Sequence, residues 1–85
     1  MAVTILYFAS LRETVGLGAE RVDIPDSVAT LGELVDWLVL RSSGHAAAFT
    51  DRGKLLCAVD QQLCALNAAL GTPKEIAFFP PVTGG

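Results

Sequence analysis

Gly84 and Gly85 close a stiff, apolar run, Phe78-Phe79-Pro80-Pro81-Val82-Thr83, and are the residues whose placement points most directly to chemistry. With Gly at about 7% of residues, two together at a given place arise by chance about once in 200. Inside a chain a glycine pair marks a turn; as a final pair it reads as a tail built for insertion into another molecule. A terminal α-carboxyl has a pKa of roughly 3.5 and is an anion at neutral pH. Carboxylate is a poor electrophile, so it becomes an acyl donor only after activation. Glycines lack Cβ atoms, which lets an enzyme wall approach the backbone and leaves the reacting carbonyl uncrowded. Pro80 and Pro81 stiffen the approach and reduce the entropy lost on insertion. Fully extended, residues 80–85 span about 20 Å, enough to enter a buried pocket on a partner.

The other candidates for chemistry are weaker. His45 has no Ser or Cys nucleophile motif beside it and reads as a surface or loop histidine. Asp60 and Glu75 are turn and strand-end carboxylates that no spacing pairs for acid–base work. Gly16-Leu17-Gly18 lacks the third glycine of a dinucleotide loop. Cys57 and Cys64 match neither a zinc nor a CxxC redox spacing, so they read as reduced core thiols, and no metal site is expected. Any catalytic acid or base is therefore expected on partners.

Composition narrows the partner class. The chain has 85 residues, 52% hydrophobic and only 18% charged, with a net charge of −3. So small a domain is mostly surface, and apolar side chains in excess of its core predict a partner-binding face. The six basic residues are scattered, which argues against nucleic acid. No apolar stretch approaches the ~20 residues of a membrane span, and no basic segment precedes the apolar start. The expected place is the cytoplasm.

The elements that must position the tail follow from periodicity. Residues 2–9 predict a central strand, apolar on both faces. Ser10 and Glu13 have capping-box spacing, predicting a short helical turn that stops near Gly16. Glu20–Ile24 alternates as a half-exposed edge strand, ended by Pro25. Thr30 and Glu33 form a second capping box. Leu31, Leu34, Val35 and Leu38 then share one face of a main helix over residues 30–42, with Trp37 on its flank and Gly44 as its end. His45 to Phe49 adds a short turn. Strands follow at Lys54–Val59, Leu63–Leu66 and Glu75–Phe79, with tight connections at Asp60-Gln61-Gln62 and Gly71-Thr72-Pro73. The fold class is α+β: a mixed sheet of about five strands with one main helix packed across it. Residues 1–79 form the domain and 80–85 an extended tail.

That order with a Gly-Gly end resembles the ubiquitin-like β-grasp arrangement. Tyr7-Phe8-Ala9-Ser10-Leu11-Arg12-Glu13 resembles the first strand and turn of the small, sulfur-carrying subunit family of molybdopterin synthase. Gly53 to Gln61 resembles its middle hairpin, and Glu75 to Gly85 its C-terminus almost position for position. Asp60 stands where the family often has Asn, and Pro73-Lys74-Glu75 where it often has Gly-Asp-Glu. The resemblance implies that a ubiquitin-activating-like adenylyltransferase uses ATP to make an acyl-adenylate on Gly85. A sulfur donor then leaves a thiocarboxylate, which passes its sulfur to a pterin precursor in the large synthase subunit, within a heterotetramer. No cofactor is bound permanently; the sulfur is carried covalently. Pro80, Pro81, Val82, Thr83 and Gly84 are the inserting tail, and Phe8, Leu63 and Phe79 match apolar interface positions. Burying those three is worth about 5–9 kcal/mol, against an association cost of about 4–15 kcal/mol, so tail insertion must contribute. The rivals are a carrier for a thiamine-type pathway, a ubiquitin-like modifier joined to lysines, and an interaction domain with an idle tail.

Overall fold

The hydrophobic pattern is resolved by placing every helix on one side of a single sheet. The computed structural model describes residues 1–81; the expectations for Val82, Thr83, Gly84 and Gly85 fall outside the described residues. In chain order the elements are β1 (Ala2–Tyr7), α1 (Ala9–Val15), β2 (Ala19–Asp23), α2 (Leu31–Leu38), α3 (Ser43–Ala48), a 3₁₀ turn (Arg52–Lys54), β3 (Leu56–Val59), β4 (Gln62–Cys64) and β5 (Glu75–Phe79). The sheet runs β2-β1-β5-β3-β4. β5 lies parallel to β1 and antiparallel to β3, while β2 and β4 form antiparallel edges. This is the expected mixed α+β sheet, with two short helices added to the main one.

Alternate residues of the strands make the core. Val3, Ile5, Tyr7, Val22, Cys57, Ile76 and Phe78 pack in one cluster with Leu31, Leu34, Val35 and Leu38 of α2, Leu11 of α1 and Phe49. Each large aliphatic side chain buried this way contributes about 1.5–3 kcal/mol. β1 is central in its pairing, as expected, but it is covered on one face only. Its other face is open because all three helices take the same side, so its continuous apolar run signals one core face and one exposed apolar face.

Local details differ from the sequence reading where a neighbour takes over. Phe8, not Ser10, is the N-cap of α1, and no side chain caps it. The chain turns the corner at Ala9, whose φ of 52° is left-handed, a conformation that costs a non-glycine residue about 1–2 kcal/mol. Ser10 is then already inside the helix, its carbonyl accepting from the Thr14 hydroxyl at 2.9 Å. Gly16 ends α1 as expected, at φ 91°.

Thr30 caps α2: its hydroxyl accepts from the Glu33 amide and bonds the Glu33 carboxylate, each at 3.2 Å. The free amides of the first turn donate to the carbonyls of Ala68 and Leu66. α2 stops at Leu38 rather than 42, because Leu40 and Arg41 donate to Trp37 and Leu38 in a tighter turn and Ser42 is extended to cap α3. Gly44 therefore does not end α2. It sits inside α3 where a Cβ would come within 2.8 Å of the Thr14 carbonyl, so glycine permits the approach of α3 to α1. The 3₁₀ turn shortens β3 at its start, and β4 ends at Cys64 because Leu66 and Ala68 turn toward α2. Asp60 and Gln61, both at positive φ, form the two-residue turn between them. Asp60 Oδ1 accepts from the amides of Lys74 and Glu75, both at 3.0 Å; an asparagine oxygen could do the same.

His45 is buried, not on the surface. Its Nε2 lies 2.6 Å from Glu20 Oε2 and its Nδ1 2.7 Å from Ser42 Oγ. The Tyr7 hydroxyl donates to the same Glu20 oxygen at 2.8 Å, and Arg41 lies 3.2 Å from Oε1. Burial alone would raise the Glu20 carboxyl. The hydrogen bonds from His45 and Tyr7, with the charges of His45 and Arg41, outweigh it and hold the group below its ordinary 4.5. Burial, then the Glu20 contact, pushes the Tyr7 hydroxyl far up, so it remains a donor. The network ties β1, β2 and α3 together. Because the folded Glu20 pKa is depressed, its contribution is complete above the unfolded value and is lost as pH falls through the folded one. Glu20→Gln should lose about 1–3 kcal/mol at neutral pH. In urea unfolding the gap from wild type should narrow as pH drops to about 3; a gap that does not change with pH would contradict this role.

Candidate docking face and tail root

Strand parity decides what the open face carries. With Val3, Ile5 and Tyr7 in the core, Thr4, Leu6 and Phe8 point to the other side, and register extends that side across the sheet. Leu6 is opposite Ala77, Ala77 opposite Ala58, and Ala58 opposite Leu63. One step toward the C-terminal end of β5, Leu56 is opposite Phe79. Phe8 stacks on Phe79 with ring centroids 4.7 Å apart and planes 7° from parallel. The result is an apolar surface whose centre is alanine and whose rim is leucine and phenylalanine. Toward the other end it turns polar, through Thr4, Arg21 and Glu75.

All three residues singled out for an interface lie on this face. Leu63 is 75% exposed, Phe8 41%, and Phe79 is half-buried. None belongs to the core cluster. Exposed apolar groups gathered in this way mark interaction sites more often than scattered ones do. Sequence reasoning missed Leu6, Leu56 and the two alanines. Period two along β3 and β5 contained them, but only the register β3–β5 shows that Leu56 neighbours Phe79.

Phe79 ends β5, and the chain continues through Pro80, half-buried, and Pro81, exposed. Both prolines line a cleft of about 240 Å³ with Ser10 and Leu11 of α1, Ala48 of α3, and Thr50, Asp51, Lys54 and Leu55. The root of the tail thus lies between the open face and the helical layer. Val82, Thr83, Gly84 and Gly85 lie outside the described residues.

Cys57 and Cys64 face each other across β3 and β4 as free thiols. Burial, and then the neighbouring Cys64, pushes the Cys57 thiol up to about 11, so Cys57 stays protonated and is a poor nucleophile. Among the described residues, no three His, Cys, Asp or Glu side chains gather where they could hold a metal ion. No described helix is long and apolar enough to cross a membrane.

The ThiS family model matches residues 5–85, from the second half of β1 through β5 to Gly84-Gly85. The chain is a member of the ThiS family. Two relatives are molybdopterin synthase sulfur carrier subunits. That of Escherichia coli (strain K12) is 42% identical over 85 residues, covering 98% of this chain and 99% of the relative. That of Haemophilus influenzae is 40% identical over 83 residues, covering 98% and 99%. The fold is also that of the crystal structure of Haloferax volcanii small archaeal modifier protein 1, with a TM-score of 0.71 at 30% identity over 95% of this chain and 98% of that one. This ThiS-family chain therefore has the ubiquitin-like architecture expected from its element order.

The placement of the two faces predicts opposite responses to substitution. Leu63→Ser on the open face should change stability by less than about 0.5 kcal/mol. Phe78→Ala, one residue before Phe79 but on the core face, should lose about 3–5 kcal/mol. Denaturant titration of both variants checks this; comparable losses would mean that Leu63 is a core residue after all.

Proposed function

We propose that this chain is the sulfur carrier of a molybdopterin synthase. The observation that carries the reading is the near full-length match to relatives of that name, together with a family match that runs to Gly85. On this reading the Gly85 carboxylate attacks the α-phosphorus of ATP on a ubiquitin-activating-like adenylyltransferase, and pyrophosphate leaves. A sulfur donor then attacks the acyl-adenylate carbonyl and displaces AMP, leaving a thiocarboxylate on Gly85. In the large synthase subunit that sulfur attacks the pterin precursor, and hydrolysis returns the carboxylate. Two such deliveries build the dithiolene.

The chain's own contribution is presentation. Its apolar open face offers Phe8, Leu63 and Phe79, with Leu6 and Leu56 beside them, as a docking surface for the large subunit in a heterotetramer. Pro80 and Pro81 lead from that face toward the reacting terminus. ATP is used by the activating enzyme, no resident cofactor is required, and the cytoplasm is the setting in which these partners would meet. Asp51 and Lys54, which line the cleft at the tail root, pair with each other at 3.8 Å on the surface; on this reading catalysis belongs to the partners.

A second reading has one observation in its favour: the 36% identity, over 92% of this chain, to the small archaeal modifier protein 1 of Haloferax volcanii. There the activated Gly85 would be joined to lysine amines instead of accepting sulfur.

Intact mass after co-expression with the cognate activating enzyme separates the readings. The carrier reading expects a species heavier by one oxygen-to-sulfur exchange, located on Gly85 and lost when Gly84 and Gly85 are deleted. Isopeptide adducts without any thiocarboxylate would favour the modifier instead. Leu63→Asp should weaken binding to the large subunit by at least about tenfold, since a charge would be buried in an apolar contact; unchanged affinity would remove this face from the interface.

A further inference from the structure

The corner between β1 and α1 meets the root of the tail from two directions. Phe8 lies on the open face with its ring flat against Phe79, the last residue of β5. Two residues later Ser10 and Leu11 line the cleft that Pro80 and Pro81 also line. The same short segment therefore flanks the point where the chain leaves the sheet, once on the open side and once on the helical side. Ala9, between these two arms, holds the left-handed conformation, φ 52°. Non-glycine residues adopt it only where surroundings over-determine it, and such sites concentrate at functional positions.

The backbone around Ala9 is tightly fixed. The Phe8 amide donates to the Phe78 carbonyl at 3.2 Å, carrying the β1–β5 pairing one residue past the strand. The Phe8 carbonyl accepts from the amides of Leu11 and Arg12, at 3.1 and 3.4 Å, which starts α1. The extended N-caps Thr30 and Ser42 lead into their helices with no positive φ at the next residue, so the left-handed Ala9 after the extended Phe8 (φ −116°, ψ 151°) is particular to this corner and not a requirement of starting a helix.

We propose that the segment Phe8–Leu11 is a clamp that fixes the direction in which Pro80 and Pro81 leave the sheet, with Phe8 and Ala9 as positioning residues for delivery of the tail. Its consequence for reaction rests on the carrier reading above. A stiff dipeptide launched from a fixed direction presents the reacting terminus to a narrow pocket in fewer orientations, which lowers the entropy lost on entry. A misaligned launch loses rate rather than affinity, since the open face still docks.

The test compares the full-length chain with Ala9→Val, Ala9→Gly and Phe8→Leu. A β-branched residue strongly disfavours positive φ, whereas glycine accepts it freely. Phe8→Leu removes the flat ring from an exposed site and leaves the core intact, so it decides the matter if Ala9→Val fails to fold. Cα–Hα residual dipolar couplings of Pro80 and Pro81 read the exit direction directly. In wild type and Ala9→Gly they should fit the same alignment as Ile76–Phe78. In Ala9→Val and Phe8→Leu they should shrink at least about twofold while those of Ile76–Phe78 stay unchanged. With the activating enzyme, Ala9→Val should lower kcat for adenylation of Gly85 by about tenfold while KM moves far less, and Ala9→Gly should restore wild-type kcat. Couplings at Pro80 and Pro81 that ignore both substitutions, or that do not fit the sheet even in wild type, would overturn the clamp. Collapsed couplings with wild-type kcat would overturn its role in delivery. A wild-type chain that is not adenylated at all would sink the carrier reading, and the couplings alone would then judge the clamp.

Discussion

β5 enters the sheet between β1 and β3, parallel to one and antiparallel to the other. Most of the architecture depends on that insertion. It brings the last strand against the first, so Phe79 comes to lie under Phe8. It fixes which residues of β3 reach the open face, so Leu56 joins them. It also buries Ile76 and Phe78 at the centre of the core. The strand that anchors the fold is the strand from which the tail departs. Asp60 secures its beginning through the amides of Lys74 and Glu75, and Phe8 covers its end.

The consequence is a division of labour between two faces of one sheet. On the helical side the side chains are apolar and close-packed, with one fully partnered polar network around Glu20. On the other side, among the described residues, Phe8, Leu56 and Leu63 are apolar and exposed around the small, buried Ala58 and Ala77. Leaving that side bare would be a liability in an isolated protein. It becomes intelligible if a partner completes it, as the proposed carrier role would require. The central alanines, Ala58 and Ala77, keep the middle of the face low, so a partner must supply the relief.

Much of this was legible in the sequence. The order of strands, the cap at Thr30, the stripe Leu31, Leu34, Val35 and Leu38, and the stop at Gly16 all follow from local rules, and the structure keeps them. Phe8, Leu63 and Phe79 could be picked out because resemblance and strand adjacency pointed to the same residues. What failed did so where distant contacts outvote local preference. Ser10 has good capping chemistry but is preempted by the turn at Ala9. Gly44 resembles a helix end but is needed for close approach of α3 to α1. His45 lacks any sequence motif because its partners, Glu20 and Tyr7, come from other elements and meet it only in three dimensions. The exposed face of β1 was unreadable from β1 alone, because a run that is apolar at every position cannot say which side will be covered.

In the proposed carrier role the reacting group is the Gly85 carboxylate, and the rest of the chain serves to present it. The most direct test follows sulfur itself. The chain is charged with labelled sulfur as its thiocarboxylate, then mixed in a single turnover with the apo large subunit and pterin precursor. The carrier role predicts that label leaves the chain and appears in the pterin dithiolene, one sulfur for each chain discharged. Label that remains on the chain, or that is released as free sulfide with no labelled pterin, would contradict it.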